Sequence, residues 1–203
     1  MKATKHLSSS SPYVSPSLPA DEELVSRAIN GDGWAEEAIF RKHVHFVTSL
    51  AAKLLRRQAE VEDVVQDTFL LAYRDLNKLN NTHLLRHWLA RITVRSAQSQ
   101  YRRRRIKQVL GLDTGIDDER LCDQLRTDAP QEILVELSLL DSVFDSLSVS
   151  ERICWVLRKL EGYQLNEICA ISGCSLATAK RRINSANQKI REYIATKEAD
   201  ECI

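Results

Sequence analysis

Residues 164–194 have the sequence QLNEICAISGCSLATAKRRINSANQKIREYI, and this stretch decides the fold of the C-terminal half of the chain. A short apolar helix pattern is followed by the turn Gly173-Cys174-Ser175 and then by a longer helix pattern. In the longer pattern, apolar residues recur every three or four positions, which is the spacing of one helix face. These apolar positions are Leu176, Ala179, Ile183, Ala186, Ile190 and Ile194. The stretch therefore predicts a helix-turn-helix.

The opposite side of the longer helix is polar and carries no acidic residue before Glu192. A serine at a helix start accepts hydrogen bonds from backbone N–H groups, and the positive end of the helix dipole favours a phosphate. Short polar side chains after it fit the major groove of DNA. We expect duplex DNA to be contacted by Ser175, Ala177, Thr178, Lys180, Arg181, Arg182, Asn184, Ser185 and Gln188. A two-helix corner with a solvated basic face has the same pattern, so the rest of the chain must decide.

Composition favours small helical domains. The chain has 203 residues, of which 43% are apolar, 28% charged and only 6% aromatic, and no alternating pattern long enough for a strand occurs. The net charge is only +1 because the 29 lysine and arginine residues are nearly balanced by 28 aspartate and glutamate residues. Residues 91–107 and 180–191 contain only basic charged residues, whereas 108–129 is rich in aspartate. The sequence thus predicts two separate cationic faces.

We expect an all-α protein with two small helical domains joined by a flexible acidic linker. The predicted segments are a disordered tail at 1–20, a first domain at 21–107, the linker at 108–129, a second domain with the helix-turn-helix at 130–197 and a tail at 198–203. Asp21 is the expected N-cap of the first helix, and Phe40 belongs to an apolar stripe expected to be buried. Ser148 and Glu151 have the spacing of a capping box.

The sequence offers no catalytic or metal chemistry. Its five cysteines lack C-x-x-C spacing, so we expect reduced thiols in a cytoplasmic protein. His83 and His87 are four residues apart without an evident third ligand, so we expect no metal and no cofactor. No apolar run is long enough to span a membrane, and the Ser/Pro-rich start lacks the apolar segment of a signal peptide. No paired-carboxylate, Ser/His/Asp or Gly-rich phosphate arrangement stands out, so we expect no enzyme and no catalytic residue.

Four stretches, in the right order, resemble the extracytoplasmic-function class of sigma-70 factors, the specificity subunits of bacterial RNA polymerase. EDVVQDTFL at 62–70 is similar to the family's acidic-Gln motif with its Phe-Leu pair, and LRHWLARI at 85–92 to its Phe-Arg-x-Trp-Leu-x-x-Ile signature. DEELV at 21–25 resembles the opening helix, and GYQLNEI at 162–168 the start of the DNA-reading element. The resemblance implies a stress-response factor that directs transcription initiation at chosen promoters.

The resemblance also implies roles for residues. It makes the two domains regions 2 and 4 of a sigma factor, and it gives docking on the coiled coil of the polymerase's largest subunit to Asp63, Gln66, Asp67 and Leu70. Capture of unpaired −10 bases falls to the loop residues Asn80, Asn81, Thr82 and His83. Phosphate contacts there fall to Arg91, Arg95, Arg102, Arg103, Arg104 and Arg105. The helix-turn-helix would read the −35 duplex. Further implied partners are the polymerase flap, promoter DNA and an anti-sigma factor.

Several points stay open at this level. Trp88 invites base stacking, but its spacing with Leu85 and Ile92 favours the core. Asn81 replaces a glycine that is common in the family, which asparagine's tolerance of positive φ allows. Asn187 stands at a position where arginine is frequent.

The acidic linker either mimics phosphates in a polymerase channel or is a solvated tether. A stand-alone helix-turn-helix regulator explains the C-terminal motif equally well but has no need for the acidic face of the first domain.

Overall fold

The computed structural model describes residues 18–55, 57–79, 81–111, 143–144 and 146–200. Its first half contains α1 (Asp21–Ile29), α2 (Gly33–Leu54), α3 (Gln58–Asp75) and α4 (Leu85–Val109), with 3-10 turns at Leu76–Lys78 and Thr82–Leu84. Its second half contains α5 (Val149–Lys159), α6 (Leu165–Ser172) and α7 (Leu176–Asp200). Helices make up the regular structure of these ranges, which confirms the expected all-α class.

The predicted segment boundaries are only partly covered by the structure. The tail at 1–20 and the linker at 108–129 lie mostly outside the described residues. α4 extends to Val109 and α7 to Asp200, so both helices run past the domain ends expected at 107 and 197. The division into domains therefore stays a prediction.

Local signals set the junction between α1 and α2. Gly31 has a φ of +84°, a left-handed conformation that a residue without Cβ adopts readily. Asp32 then caps α2 by accepting a hydrogen bond from the Trp34 N–H at 3.0 Å. The expectation that Asp21 caps α1 is wrong, because Asp21 is the first residue inside the helix. Its carboxylate instead lies 2.8 Å from Nζ of Lys42 and so ties α1 to α2.

The core of the first half lies between α2, α3 and α4. Its largest fully buried side chains include Leu50, Leu54, Leu85 and Leu89. Burial of one such leucine side chain is worth roughly 1.5–3 kcal/mol, so these contacts hold the three helices together. This packing fixes the faces that α3 and α4 turn to solvent.

Helix caps fix where the three helices of the second half begin. The predicted capping box opens α5: Ser148 Oγ accepts from the Glu151 N–H at 3.3 Å, and Glu151 Oε2 accepts from the Ser148 N–H at 2.8 Å. α6 has a second capping box, with Gln164 as its N-cap, which sequence analysis missed because glutamine is not a usual N-cap. α6 ends at Gly173, whose φ is +67°. Ser175 Oγ then accepts from the Thr178 N–H at 3.2 Å, so the predicted helix-turn-helix and its serine cap are confirmed.

The two halves contact each other and share one continuous apolar core. Arg152 of α5, only 5% exposed, lies at the carboxyl end of α2. Its Nη1 donates to the Leu54 carbonyl at 3.3 Å and to Tyr101 Oη at 3.0 Å. The last carbonyls of a helix have no partner within the helix and form the negative end of its dipole, so they attract a cation.

Charged residues surround this contact on the side of α4 and α6. Glu161, whose side chain is 7% exposed, lies 2.6 Å from Lys53 Nζ and 3.9 Å from Arg86 Nη2. His87 Nε2 lies 2.7 Å from Glu167 Oε1. We call Lys53, Arg86, His87, Glu161 and Glu167 the interface cluster. It joins residues of the first half to the turn before α6 and to α6 itself.

We expect Arg152→Met to lower the free energy of unfolding by about 2 kcal/mol. Hydrogen bonds that involve a charged group are worth about 1.5–3 kcal/mol, and methionine retains most of the buried apolar stem. Urea unfolding followed by circular dichroism measures the change. Arg103→Met, on the exposed side of α4, is the matched control and should cost little. Equal midpoints for wild type and Arg152→Met would refute a stabilising role for the guanidinium.

Candidate functional site

α7 buries one side within the second half and leaves the other open. Ala179, Ile183 and Ala186 are buried. We define the α7 stripe as seven of the exposed residues from the turn onward: Ser175, Ala177, Lys180, Arg181, Asn184, Gln188 and Arg191. From Ala177 on, their three- and four-residue spacings place them on one helix face. Thr178 is half-buried, with its hydroxyl 2.9 Å from Ser175 Oγ.

Two residues beside the stripe are engaged inside the second half. Ser185 is half-buried and donates to Glu151 Oε1 at 2.6 Å, so its side chain lies apart from the open face on which sequence analysis grouped it. Asn187 accepts from Trp155 Nε1 at 3.0 Å, which gives this departure from the family pattern a structural role. Arg182 is also half-buried. The stripe is therefore narrower than the predicted set.

Glu151 fixes how α7 is rotated against α5. Besides the Ser148 N–H, its carboxylate accepts from Ser185 Oγ at 2.6 Å and from Lys189 Nζ at 2.8 Å. Burial alone would raise the pKa of Glu151, but the hydrogen bonds from Lys189, Ser185 and Ser148 hold it at about 2. The ionised carboxylate thus orients the stripe away from α5.

The basic segment of α4 has more than one side. At about 100° per residue, Arg91, Arg95, Arg102 and Arg105 fall within about 80° of one another, whereas Arg103 and Arg104 point elsewhere. We call the first four the α4 stripe, and all four are exposed. The stripe is about 21 Å long at 1.5 Å per residue. Arg103 is exposed on another side of the helix, and Arg104 is half-buried.

The loop before α4 lies near the Arg91 end of this stripe. Asn81 Oδ1 accepts from the His83 N–H at 3.1 Å, and Asn81 has a φ of −131°. The positive φ considered for Asn81 is therefore not adopted. Thr82 is half-buried, and Nδ1 of the exposed His83 contacts the carboxylate of Glu22 in α1. Asn80 lies outside the described residues.

A cavity of about 550 Å³ separates this loop from the second half. Leu79, Asn81, Trp88 and Arg91 line it from the first half, and Asn166, Glu167, Ala170 and Ile171 of α6 line it from the second. Trp88 is partly buried and packs against the core, as its spacing predicts. In this arrangement the candidate base-capture loop faces α6.

The polymerase-docking candidates share the outer surface of α3. Asp63, Gln66 and Leu70 are exposed, and Asp67 is half-buried. Asp63 Oδ2 accepts from Gln100 Nε2 at 3.2 Å, which links this surface to α4. The structure therefore brings all four predicted residues together on one helix.

Sequence analysis missed an apolar groove beside these residues. The groove, of about 430 Å³, includes Phe40, Val65, Phe69, Leu70 and Tyr73 in its lining. Phe40, expected in a buried stripe of α2, is 40% exposed and meets the Phe69 ring edge-on at 4.8 Å between centroids. Leu70 is 61% exposed at the rim. We call this feature the α3 groove; its only sequence signal was an outward-facing leucine beside acidic residues.

The structure brings together no recognisable metal site in the ranges it describes. His83 and His87 point to separate carboxylates, those of Glu22 and Glu167. No group of three or more His, Cys, Asp or Glu side chains among the described residues is arranged to hold a metal ion. Cys154, with the other two described cysteines, is a free thiol. In the same part of the chain, no helix has the length and apolarity needed to cross a membrane.

The sequence is similar to those of known sigma factors of RNA polymerase. The family model for sigma-70 region 2 matches residues 39–106. The chain is 28% identical over 176 residues to the RNA polymerase sigma factor CnrH of Cupriavidus metallidurans, covering 84% of this chain and 92% of the relative. It is 29% identical over 178 residues to the ECF RNA polymerase sigma-E factor of Escherichia coli, with the same coverage of 84% and 92%.

Two solved structures share the fold. CnrH in complex with the cytosolic domain of CnrY superposes with a TM-score of 0.63 at 23% identity, covering 88% of this chain and 99% of that one. The sigma factor RpoE in complex with the anti-sigma factor NepR from Bartonella quintana also gives a TM-score of 0.63, at 22% identity, covering 78% of this chain and 96% of that one. The helical arrangement described above is thus a known one.

We expect Glu151→Gln to destabilise the protein at neutral pH and to remove part of its acid sensitivity. The pKa of Glu151 is about 2 in the folded protein against a usual 4.5, so the ionised group stabilises the fold above pH 4.5. That contribution is lost as the pH falls from 4.5 towards 2. Urea unfolding at several pH values should show a stability difference from wild type that shrinks through this range. Glu192→Gln, on the exposed end of α7, is the control, and a difference independent of pH would contradict the assignment.

Proposed function

We propose that this chain, which belongs to the extracytoplasmic-function group of the sigma-70 family, divides promoter recognition between its two halves. The chain is a sigma factor that directs RNA polymerase to promoters, and sigma factors are not enzymes. In the proposal, the α7 stripe reads the −35 duplex, the loop and the α4 stripe hold the −10 strand, and the α3 groove docks on the polymerase. The observation that supports it best is the presence of two cationic stripes and one apolar, acid-rimmed groove on three different helices.

The α7 stripe has the chemistry of a duplex reader. Ser175 and the α7 N-terminus suit a backbone phosphate, and the small Ala177 permits a close approach to the groove wall. Arg181 and Asn184 lie next on the same face, and these residue types form paired hydrogen bonds with guanine and adenine. We assign base contacts to these two and phosphate contacts to Lys180 and Arg191, the latter from its place in the stripe. Ser185 is left out because Glu151 holds it.

The α4 stripe suits a single strand. Each strand of duplex DNA carries one phosphate per about 3.4 Å of helix axis, so a stripe about 21 Å long is long enough to contact several phosphates. Asn81 at its end offers amide groups for the edge of an unstacked base. We therefore propose that Arg91, Arg95 and Arg102 hold the melted strand while the loop captures a base. Arg103 and Arg104, on other sides of α4, have a smaller share in this proposal.

The α3 groove suits a helical partner. An apolar groove with a protruding leucine accepts the side chains of an amphipathic helix, and the charged rim selects its orientation. Phe40 and Leu70 provide the apolar anchors, Glu62 and Gln66 provide polar groups in the lining, and Asp63 and Asp67 lie on the adjoining surface of the same helix. The partner that we assign is the coiled coil of the largest polymerase subunit, as the family resemblance implies; the polymerase flap would contact the second half.

An anti-sigma factor is the second partner in this proposal. The two solved relatives are complexes of CnrH with the cytosolic domain of CnrY and of RpoE with the anti-sigma factor NepR. An exposed apolar groove is a surface that a folded protein usually covers with a partner. We propose that a protein of this kind covers the α3 groove when polymerase does not.

Reconstituted transcription tests the whole proposal. Purified chain is added to bacterial core polymerase lacking its own sigma factor, and the start sites on genomic DNA are mapped. We expect stable association and initiation at a discrete set of promoters. Failure to bind core polymerase, or initiation at no preferred site, would refute the proposal. Tight specific binding to duplex DNA by the chain alone would favour the stand-alone regulator instead.

We expect the double variant Gln66→Ala with Asp67→Ala to bind core polymerase at least tenfold more weakly while keeping its fold. The change removes the Gln66 side chain from the lining of the α3 groove and the Asp67 carboxylate from the adjoining surface of α3, and it leaves the buried side chains intact. Affinity is measured with labelled protein and purified core. Glu23→Ala with Ser26→Ala, on the exposed side of α1, is the matched control. Unchanged affinity of a folded Gln66/Asp67 variant would count against the docking assignment.

We expect Arg181→Ala to weaken binding of the −35 duplex by about 1–3 kcal/mol, the usual cost of losing a paired base contact. Ser185→Ala should change this affinity little, because Ser185 faces Glu151. Both are measured on holoenzyme with a cognate and a scrambled −35 duplex. An equal loss on both duplexes would show that Arg181 contacts phosphate rather than a base.

A further inference from the structure

Two cysteines flank the turn of the helix-turn-helix: Cys169 near the end of α6, and Cys174 just before the serine that caps α7. We propose that Cys169 and Cys174 are an oxidative modification site, at which a peroxide converts the two thiols into a disulfide and thereby weakens reading of the −35 duplex. The chemistry at the two sulfurs stands by itself, whereas its effect on DNA rests on the proposed function of α7.

The backbone holds these two residues side by side. The Cys169 carbonyl accepts from the Gly173 N–H at 2.9 Å and from the Cys174 N–H at 3.3 Å. The second bond passes over a glycine in the left-handed conformation and is the hydrogen bond of a Schellman motif. Contact between the two side chains joined in this way is common in that motif. The bond also keeps the two Cα atoms within roughly 7 Å, and disulfides join Cα atoms about 4.4–6.8 Å apart.

The Cys174 sulfur lies beside the other described thiols. Burial first, and the neighbouring Cys174 next, raise the pKa of the Cys154 and Cys169 thiols. Cys174 Sγ is also 3.1 Å from Ser172 Oγ. The Ser172 hydroxyl has one hydrogen, which it donates to the Ile168 carbonyl at 2.6 Å, so the Cys174 thiol is the donor towards Ser172. This hydrogen bond holds the Cys174 sulfur at the end of α6.

Exposure separates the pair from the third thiol. Cys169 and Cys174 are half-buried, so a small oxidant can reach them, whereas Cys154 of α5 is fully buried. Cysteines in buried apolar surroundings are inert, because the thiolate is the reactive form. Burial also raises the pKa of Cys169, which leaves little of its thiolate at neutral pH. We therefore assign the first reaction with peroxide to Cys174 and the second step to Cys169.

The reaction is balanced with hydrogen peroxide as the oxidant. The Cys174 thiolate attacks one peroxide oxygen, so that an S–O bond forms, the O–O bond breaks and two electrons pass from sulfur to the peroxide, which leaves as hydroxide. The Cys169 sulfur then attacks the sulfenic acid of Cys174: the S–S bond forms, the S–O bond breaks, and the leaving hydroxide takes up the Cys169 proton as water. In total, two thiols and one peroxide give one disulfide and two waters. A dithiol reductant reverses the change by exchange.

The disulfide changes the turn that begins α7. A disulfide sulfur has no hydrogen to donate, so Cys174 loses its hydrogen bond to Ser172. The new covalent bond ties the residue before Ser175 to α6, and Ser175 Oγ caps α7 by accepting from the Thr178 N–H. In the proposed function, Ser175 and the α7 N-terminus contact a backbone phosphate. A turn tied to α6 can no longer adjust as α7 enters the major groove, so we expect the oxidised chain to bind the −35 duplex severalfold more weakly.

Disulfide formation is tested on the full chain without DNA or polymerase. Cys122 and Cys202 lie outside the described residues, and Cys122→Ser with Cys202→Ser removes their thiols and gives the background variant. After treatment of the folded protein with hydrogen peroxide, mass spectrometry should show the loss of two hydrogen atoms, and peptide mapping should join Cys169 to Cys174. Dithiothreitol should restore the original mass.

Two further substitutions in this background check the assignment. Cys169→Ser should leave Cys174 as a sulfenic acid that dimedone labels, because the second thiol is missing. Cys154→Ala is the matched control and should form the disulfide as the background does. If the folded background variant keeps Cys169 and Cys174 reduced, or joins Cys174 to Cys154, the proposed pair is refuted.

DNA reading is measured after the peroxide has been removed. Oxidised and reduced background variants are each bound to core polymerase and titrated with a cognate −35 duplex. We expect severalfold weaker binding for the oxidised form, recovery after dithiothreitol, and no effect of peroxide on Cys174→Ser. Equal affinities of the two forms would refute the effect on DNA even if the disulfide forms. Failure of the reduced chain to direct core polymerase would instead refute the proposed function, while peptide mapping alone would still decide the thiol chemistry.

Discussion

The arrangement of the molecule depends on a guanidinium buried at the carboxyl end of a helix. Arg152 is nearly inaccessible, and a buried charge is tolerated only when hydrogen bonds replace the lost water. The backbone carbonyls of Leu54, at the end of α2, and of Phe144 accept hydrogen bonds from Arg152. The hydroxyl oxygen of Tyr101 accepts a third. Because α5 carries Arg152 and is packed with α6 and α7, this one contact orients the whole helix-turn-helix relative to α4.

The hydrogen bonding of the Arg152 guanidinium is incomplete. Its Nε has no hydrogen-bond partner among the described residues. A contact that leaves a buried donor unpaired is less stable than a fully paired one. The interface cluster adds two carboxylates opposite basic residues of the first half.

Sequence patterns predicted the structural features that depend on residues close together in the chain. They missed the contacts between residues that are far apart in the chain. The helix-turn-helix, the Ser175 cap and the capping box at Ser148 are local and were all predicted correctly. Lys53 and Glu161 are separated by 108 positions, so no periodicity brings them together. Phe40 was expected in the core because the spacing of α2 includes it; only the packing of α3 beside it leaves a groove open. Ser185 was grouped with the outer face of α7, and Glu151 on α5 turns it inwards.

The inward-facing residues of α7 determine which side chains form the face that we propose to read DNA. With Ser185 held by Glu151 and Asn187 held by Trp155, the open stripe is reduced to a line that passes through Ala177, Arg181 and Asn184. Such a narrow line would present few base-reading groups, and the packing beneath α7 sets which direction they face. In the proposed function, discrimination between promoters depends on the orientation of α7, which the Glu151 carboxylate on α5 helps to set through Ser185 and Lys189.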